Sequence, residues 1–241
     1  MISNEIDTTG NSFLIKFKKY QFIFLFVELI FLLIASAVLS NIAPRYSSIV
    51  STVLFLLVLL TTVFIVISDK RLLIVSSFLV FSIVILQILR FYFNSNWIVV
   101  SIYLASLMFL SYKISVFFKV LFTGKSINLN IIFASLCIYL LIAVYWAIIY
   151  SLLDHLMPGS FSYPFGGPYD KVAMEFAGTN TSPSLYFSLV TLTTLGYGDV
   201  VPKTQISGML AGIEAVIGQL YIAVVIARIV AVYSWKTNKS K

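Results

Sequence analysis

Apolar positions fall in long unbroken blocks, not in the alternations of strands or the one-faced stripes of soluble helices. The blocks run from about Phe22 to Leu39, Ile49 to Ser68, Leu72 to Phe93, Trp97 to Phe118 and Ile131 to Leu153. Each is close to the roughly 20 residues that a membrane-crossing helix takes. A sixth block, from about Thr204 to Tyr233, would reach about 45 Å at the helical rise and should tilt or project beyond the bilayer. The separators are polar: Asn41 to Ser48 with Pro44 and Arg45, the turn Asp69-Lys70-Arg71, Asn94-Ser95-Asn96, and a linker with Lys119, Gly124 and Lys125. This pattern predicts an all-α membrane protein with six spans. A polar tail, 1–19, precedes a four-helix N-terminal transmembrane bundle over 20–125, and a second module occupies 126–241.

The second module departs from simple helix-and-turn order. After an outer helix at 131–153, residues 154–182 are rich in Gly, Pro, Ser, Asn and Tyr, and Gly166-Gly167-Pro168 marks an irregular loop. Its length suggests a functional cap. Ser182-Pro183 reads as an N-cap followed by proline at the first helical position. The helix it starts, 183–193, would be about 16 Å long and too short to cross, so it should be re-entrant. Residues 194–198 then carry two glycines before an inner helix at 204–233 and a short C-terminal tail. Irregular backbone at membrane depth is tolerated only where protein buries it or it lines water.

Composition sharpens the picture. The 241 residues are 60% hydrophobic and 10% charged, with mean hydropathy +1.02, which excludes an ordinary soluble domain. The net charge of +7 could suggest nucleic acid, but the basic residues are sorted by side. With six spans, Arg45, Arg90, Lys171 and Lys203 lie on one side and the other 12 of the 16 Lys and Arg on the opposite one. Positive charge marks the cytoplasm, so both termini should be cytoplasmic and the 154–203 region external, at a cell membrane. No nucleic-acid partner is expected. Ala35-Ser36-Ala37 resembles a signal-peptide cleavage site, but the long run and Glu28 within it favour a retained span. Glu28 should make a hydrogen bond between helices, being costly in lipid. Cys137 is expected as a small buried hydrophobe and His155 as a solvated loop residue. There is no nucleophile–base pair or His/Cys cluster, so neither enzyme activity nor a cofactor is expected.

The stretch Thr193-Thr194-Leu195-Gly196-Tyr197-Gly198-Asp199 carries the candidate chemistry. A dehydrated cation needs a cage of oxygens. Strand geometry points successive carbonyls in opposite directions, and aligning them takes left-handed residues, which glycine supplies at least steric cost. Gly196 and Gly198 have the needed spacing, and Thr194 can add a hydroxyl. Tyr197 suits a wedge beside the loop with its hydroxyl bonded to a neighbour.

This motif resembles the selectivity filter of tetrameric potassium channels, whose carbonyl rings replace the ion's water. Leu195 stands where Val or Ile is more usual. Tyr186 and Phe187 sit where that family has pore-helix aromatics, Pro202 follows the filter, and Gly218 falls where an inner-helix hinge glycine would. Val190 occupies a position where some members carry a Glu paired to the Asp after the filter. The resemblance implies a potassium-channel pore module: outer helix, re-entrant pore helix, filter and inner helix. It implies K+ as the transported ion, coordinated by Thr194, Leu195, Gly196, Tyr197 and Gly198, with Thr193, Asp199, Tyr186 and Phe187 as filter support. One loop cannot close a ring, so a homotetramer in the lipid bilayer is implied, with room for a separate regulatory subunit. Gln219 would line the cavity. Gly218 is open between hinge and close packing. Glu214, an intramembrane acid, is either a cavity charge or, as favoured here, a brace for the pore helix.

Four spans ahead of a pore resemble the voltage-gated architecture, but the fourth offers only Lys113 and, at its end, Lys119. Little intrinsic voltage sensing is expected. A secondary transporter would show broken helices in both halves, and here only one half has one. A weakly selective cation pore and a non-conducting partner subunit are the remaining rivals. The intact Tyr197 between two glycines argues against the first.

Overall fold

The computed structural model describes residues 20–35, 38, 44–65, 70–93, 95–123, 128–162 and 182–239. Seven helices and one short strand pair make up the described chain: α1 (Tyr20–Ala35), α2 (Pro44–Phe64), α3 (Lys70–Tyr92), α4 (Asn96–Thr123), α5 (Leu129–Leu156), β1 (Phe161–Ser162), α6 (Ser182–Leu192), β2 (Val201–Pro202) and α7 (Gln205–Lys239). Among the described residues, α3, α4, α5 and α7 through Arg228 are long and apolar enough to cross a membrane. The described apolar parts of α1 and α2, Tyr20–Ala35 and Ile49–Phe64, are shorter. The protein is an all-α membrane protein, as the apolar blocks require. In lipid a helix satisfies its backbone polar groups internally. Hydroxyls within the blocks do likewise: Ser101 Oγ donates to the Trp97 carbonyl and Ser115 Oγ to that of Ser111, at 2.8 Å each.

Helices overrun the expected boundaries where nothing breaks them. Pro44 and Arg45 belong to α2, not to a loop, since proline suits a first helical turn. Lys70 and Arg71 open α3 instead of forming a turn. The fourth helix continues past Phe118 through Lys119 to Thr123. Asn128 caps α5 by accepting the Ile131 N–H at 3.0 Å. The same helix runs through Asp154 and His155, so His155 is a last-turn residue and not a loop residue. Its ring centroid lies 6.3 Å from that of Tyr103 on α4. The final helix extends beyond Tyr233 to Lys239, 35 residues or about 52 Å. The expected loop 154–182 lies mostly outside the described residues, as does the tail 1–19.

α5 is the central post. Ala134, Cys137, Ile138, Leu141, Ala143, Ala147 and Tyr150 on it are fully buried, and its alanines let neighbours approach closely. α1 lies against α4 and α5 through edge-on pairs Phe22–Phe117 at 5.3 Å and Phe26–Phe133 at 5.4 Å. Cys137 is buried and free, as expected, and its thiol donates to the Phe22 carbonyl at 3.3 Å. Glu28 shares a hydrogen bond with Thr61 of α2, the interhelical role expected of it, while its Oε2 is buried without a partner. α4 also reaches α7, with Phe118 edge-on to Tyr221 at 6.0 Å and the Arg228 guanidinium 5.0 Å above the Phe122 ring. The bundle thus packs on the α5–α7 module of its own chain.

Candidate functional site: the loop between α6 and α7

α6 is short and sits against α5 and α7 with Ser184, Leu185, Phe187, Ser188, Val190 and Leu192 buried. Phe187 joins Tyr150 of α5 and Phe161 of β1 in an edge-on aromatic triangle, with centroids 5.0 to 5.3 Å apart. The helix ends at Leu192, and all four of its last carbonyls find donors, as a buried terminus must. The N–H groups of Thr193, Leu195 and Thr194 reach Leu189, Val190 and Thr191. Leu192 accepts from the Tyr139 hydroxyl of α5 at 3.1 Å.

From there the backbone alternates. Thr194, Gly196 and Gly198 have φ of 58°, 57° and 79°, and residues 195 and 197 between them do not share that sign. Alternating handedness undoes the strand's alternation and turns successive carbonyls the same way. Gly196 and Gly198 adopt this conformation freely. Thr194 is β-branched and does so against its steric preference. Leu195 and Tyr197 are 56% and 66% exposed in the single chain, so Tyr197 is not wedged against its own α6.

The end of the loop nearest α7 is tied down. Asp199 accepts from the Tyr186 hydroxyl and, through Oδ1, from the Val200 N–H at 2.9 Å. The Tyr186 hydroxyl holds the Asp199 carboxyl below its usual range. Phe161 pairs with Pro202 and Ser162 with Val201 across β1–β2. Lys203 N–H and Ser207 Oγ both donate to the Ser160 carbonyl at 2.9 Å. Thr204 and Ser207 cap α7 reciprocally, each side chain accepting the other's N–H at 3.1 Å.

α7 turns one narrow face inward: Ser207, Glu214, Gly218, Tyr221 and Val225. Glu214 is fully buried. Its Oε2 accepts from the Tyr150 hydroxyl of α5, and Oε1 faces Ser188 Oγ of α6. Ser188 Oγ is also 2.8 Å from the Ala143 carbonyl, so its one proton serves one acceptor at a time. The Tyr221 hydroxyl donates to the Ser135 carbonyl. A Cβ on Gly218 would sit 2.1 Å from the Leu192 carbonyl oxygen, where no atom fits. Gln219, just beyond this face, donates from Nε2 to Thr194 Oγ1 at 3.0 Å.

A family model described as "Ion channel" matches residues 132–234, covering this whole arrangement. By this match, residues 132–234 are similar to the pore domain of ion channels. A stretch of 60 residues, 24% of the chain, is 35% identical to two-pore potassium channel 4 of Arabidopsis thaliana and covers 21% of that protein. The chain thus spans about a fifth of the length of the curated relative it matches. No solved structure matches it significantly.

Within the pore domain, Thr193, Thr194, Leu195, Gly196, Tyr197 and Gly198 form one continuous loop, and Tyr186, Phe187 and Asp199 adjoin it. Asp199 has the tyrosine of its own pore helix as partner, where some relatives of the motif would use an acid at Val190. Glu214 is enclosed by α5 and α6 and bonds to both, the contacts that a brace would make. Gly218 is a contact glycine here, whatever hinge role it also has. The reading from sequence missed Tyr139, Tyr150, Ser188 and Tyr221. The available signal was Glu214 itself, since an acid at that depth needs donors, and hydroxyls on the neighbouring helices were the candidates.

Proposed function

We propose that four copies of this ion-channel subunit surround a shared axis and conduct K+ passively and selectively across a cell membrane. The observation that carries the reading is the alternating backbone at Thr194, Gly196 and Gly198 on an exposed loop at the end of a buried short helix. One copy offers one column of oxygens, and a ring of four makes the cage. K+ is coordinated by the carbonyls of Thr194, Leu195, Gly196 and Tyr197, with Gly198 at the outer end and the Thr194 hydroxyl at the inner. Tyr197, exposed in one chain, packs against the adjoining subunit. Each pore helix aims the negative end of its dipole at the cavity, which favours a cation there. The 154–203 region faces outside, and residues 1–19 and the end of α7 face the cytoplasm.

Domain 20–125 is a bundle around the 126–241 pore domain and not a strong voltage sensor. Each charge crossing the field supplies about 2.3 kcal/mol per 100 mV. In the middle of α4 stands Lys113, 2% exposed and next to the rings of Phe109 and Tyr112. The channel needs no cofactor and performs no chemical conversion. Its opening stimulus could come from a separate regulatory subunit.

Reversal potentials of the reconstituted protein in opposed K+ and Na+ gradients test the reading. A potential following the K+ gradient is the expected result. A value near zero would make this a weakly selective cation pore, and absence of current under all conditions would point to a silent partner subunit.

A further inference from the structure

We infer that Gln219 is a positioning residue for the innermost ion site, through its bond to Thr194. The inference rests on the K+-channel reading above and adds a part that inner helix α7 supplies. Thr194 is the one non-glycine among the described residues with positive φ, at 58°, a conformation that β-branched side chains resist. Such a conformation persists only where the surroundings hold it. Two bonds do so. The Thr194 hydroxyl lies 2.7 Å from the carbonyl of Thr193, to which it donates its proton. With that proton committed, Oγ1 can only accept, and Gln219 Nε2 donates to it at 3.0 Å. A hydroxyl oxygen has two acceptor lone pairs, so one remains for an ion.

The next residue back makes the attachment firm. Gly218 lets the Leu192 carbonyl, the last of the pore helix, lie directly on α7. Leu192 and Thr194 therefore meet α7 at two successive positions. A tilt of α7 near Gly218 would move the Gln219 amide and, with it, the residue whose carbonyl and hydroxyl both serve the inner site. Gln219 thereby couples the conformation of the inner helix to occupancy of that site. Its amide does not coordinate the ion.

The test compares wild type, Gln219→Leu and Gln219→Asn in planar bilayers. The readout is block by cytoplasmic Ba2+, a divalent ion close to K+ in size that competes for the inner site, with K+ against Na+ reversal potential recorded alongside. The expected result is a block constant raised about tenfold or more in both variants, while reversal still follows K+. Gly212→Ala, on the same helix with nothing within 4 Å of the added carbon, should block within about threefold of wild type. Wild-type block in a conducting Gln219→Leu channel would overturn the inference, and so would loss of Ba2+ block equal in Gly212→Ala and Gln219→Leu. If Gln219→Leu carries no current, K+ titration of the purified variant by calorimetry replaces block. A tenfold weaker K+ affinity supports the inference and an unchanged affinity overturns it. A wild type without K+ selectivity would instead sink the channel reading, and the inference with it.

Discussion

The α5–α7 pore domain and the α1–α4 bundle are both apolar helices, yet several side-chain hydroxyls bond differently in the two. In the pore domain, side-chain polar groups bond across elements: Tyr150 and Ser188 to Glu214, Tyr139 to Leu192, Tyr221 to Ser135, Ser207 to Ser160. In α2, α3 and α4 the hydroxyls of Thr62, Ser76, Ser82, Ser101, Ser115 and Thr123 bond within their own helices, and Glu28 of α1 reaches across to Thr61 of α2. Cross-helix bonds have direction and specify one register. Apolar contacts between helices in lipid lack a hydrophobic driving force and specify register more weakly. Under the proposed function the loop must hold oxygens to fractions of an ångström, and these directional joints surround it.

Breaking the tightest joint should have the largest effect. Gly218→Ala places a methyl where the Leu192 carbonyl already lies, so backbone must shift. Overpacking of this kind costs about 3 kcal/mol or more where backbone blocks relief. The variant should lose assembled protein on thermal melting in detergent and lose current at least tenfold. Gly212→Ala, with nothing within 4 Å of the added carbon, should leave both unchanged; equal damage at the two positions would remove the contact argument.

Glu214→Leu comes next. It leaves the Tyr150 hydroxyl buried without its acceptor, a loss of roughly 2 kcal/mol. The melting temperature should fall while the unitary conductance of surviving channels stays near wild type. Lower conductance at unchanged stability would mean that the carboxylate acts on the ion and not on the packing.

A smaller effect is expected at the outer tether and depends on pH. The Asp199 carboxyl titrates below its ordinary value of 3.8. Its bond therefore contributes fully above that value and is lost as external pH falls through the lowered one. Wild-type current should persist as the pH falls through that ordinary value. In Tyr186→Phe the first cause of the lowering is gone, so the acid midpoint should move to higher pH. A midpoint unchanged or moved lower would remove Tyr186 as the partner that matters.

The smallest effect belongs to the bundle. Ser115→Ala on α4 deletes a bond made only within its helix, and should change stability by less than about 0.5 kcal/mol. Melting curves of Ser115→Ala and Glu214→Leu side by side would show directly whether the two regions differ as their bonding suggests.

Much of this was legible before any coordinates. Apolar block length and the rule that buried backbone must bond to itself lead to membrane helices, and a glycine-spaced motif after a short helix leads to a carbonyl-lined loop. Both rest on local properties: side-chain apolarity and the conformational freedom of single residues. Helix ends were less legible. Pro44, Lys70, Lys119 and His155 look like breaks in composition, yet a helix continues through any residue that does not strain it. Glu214 announced that it needed partners without naming them, and Asp199 did the same.

The sequence by itself determined which segments are helical, which loop is irregular and which residues there tolerate left-handed backbone, because each follows from neighbours within a few positions. Only the tertiary structure decided that Tyr150 and Ser188 enclose Glu214, that Tyr186 holds Asp199, that Gly218 exists to admit a carbonyl, and that Gln219 reaches Thr194. Those pairs lie 64, 26, 13 and 25 residues apart for the side-chain bonds among them. Whether such groups meet depends on how three helices rotate and slide against one another, and no local preference encodes that.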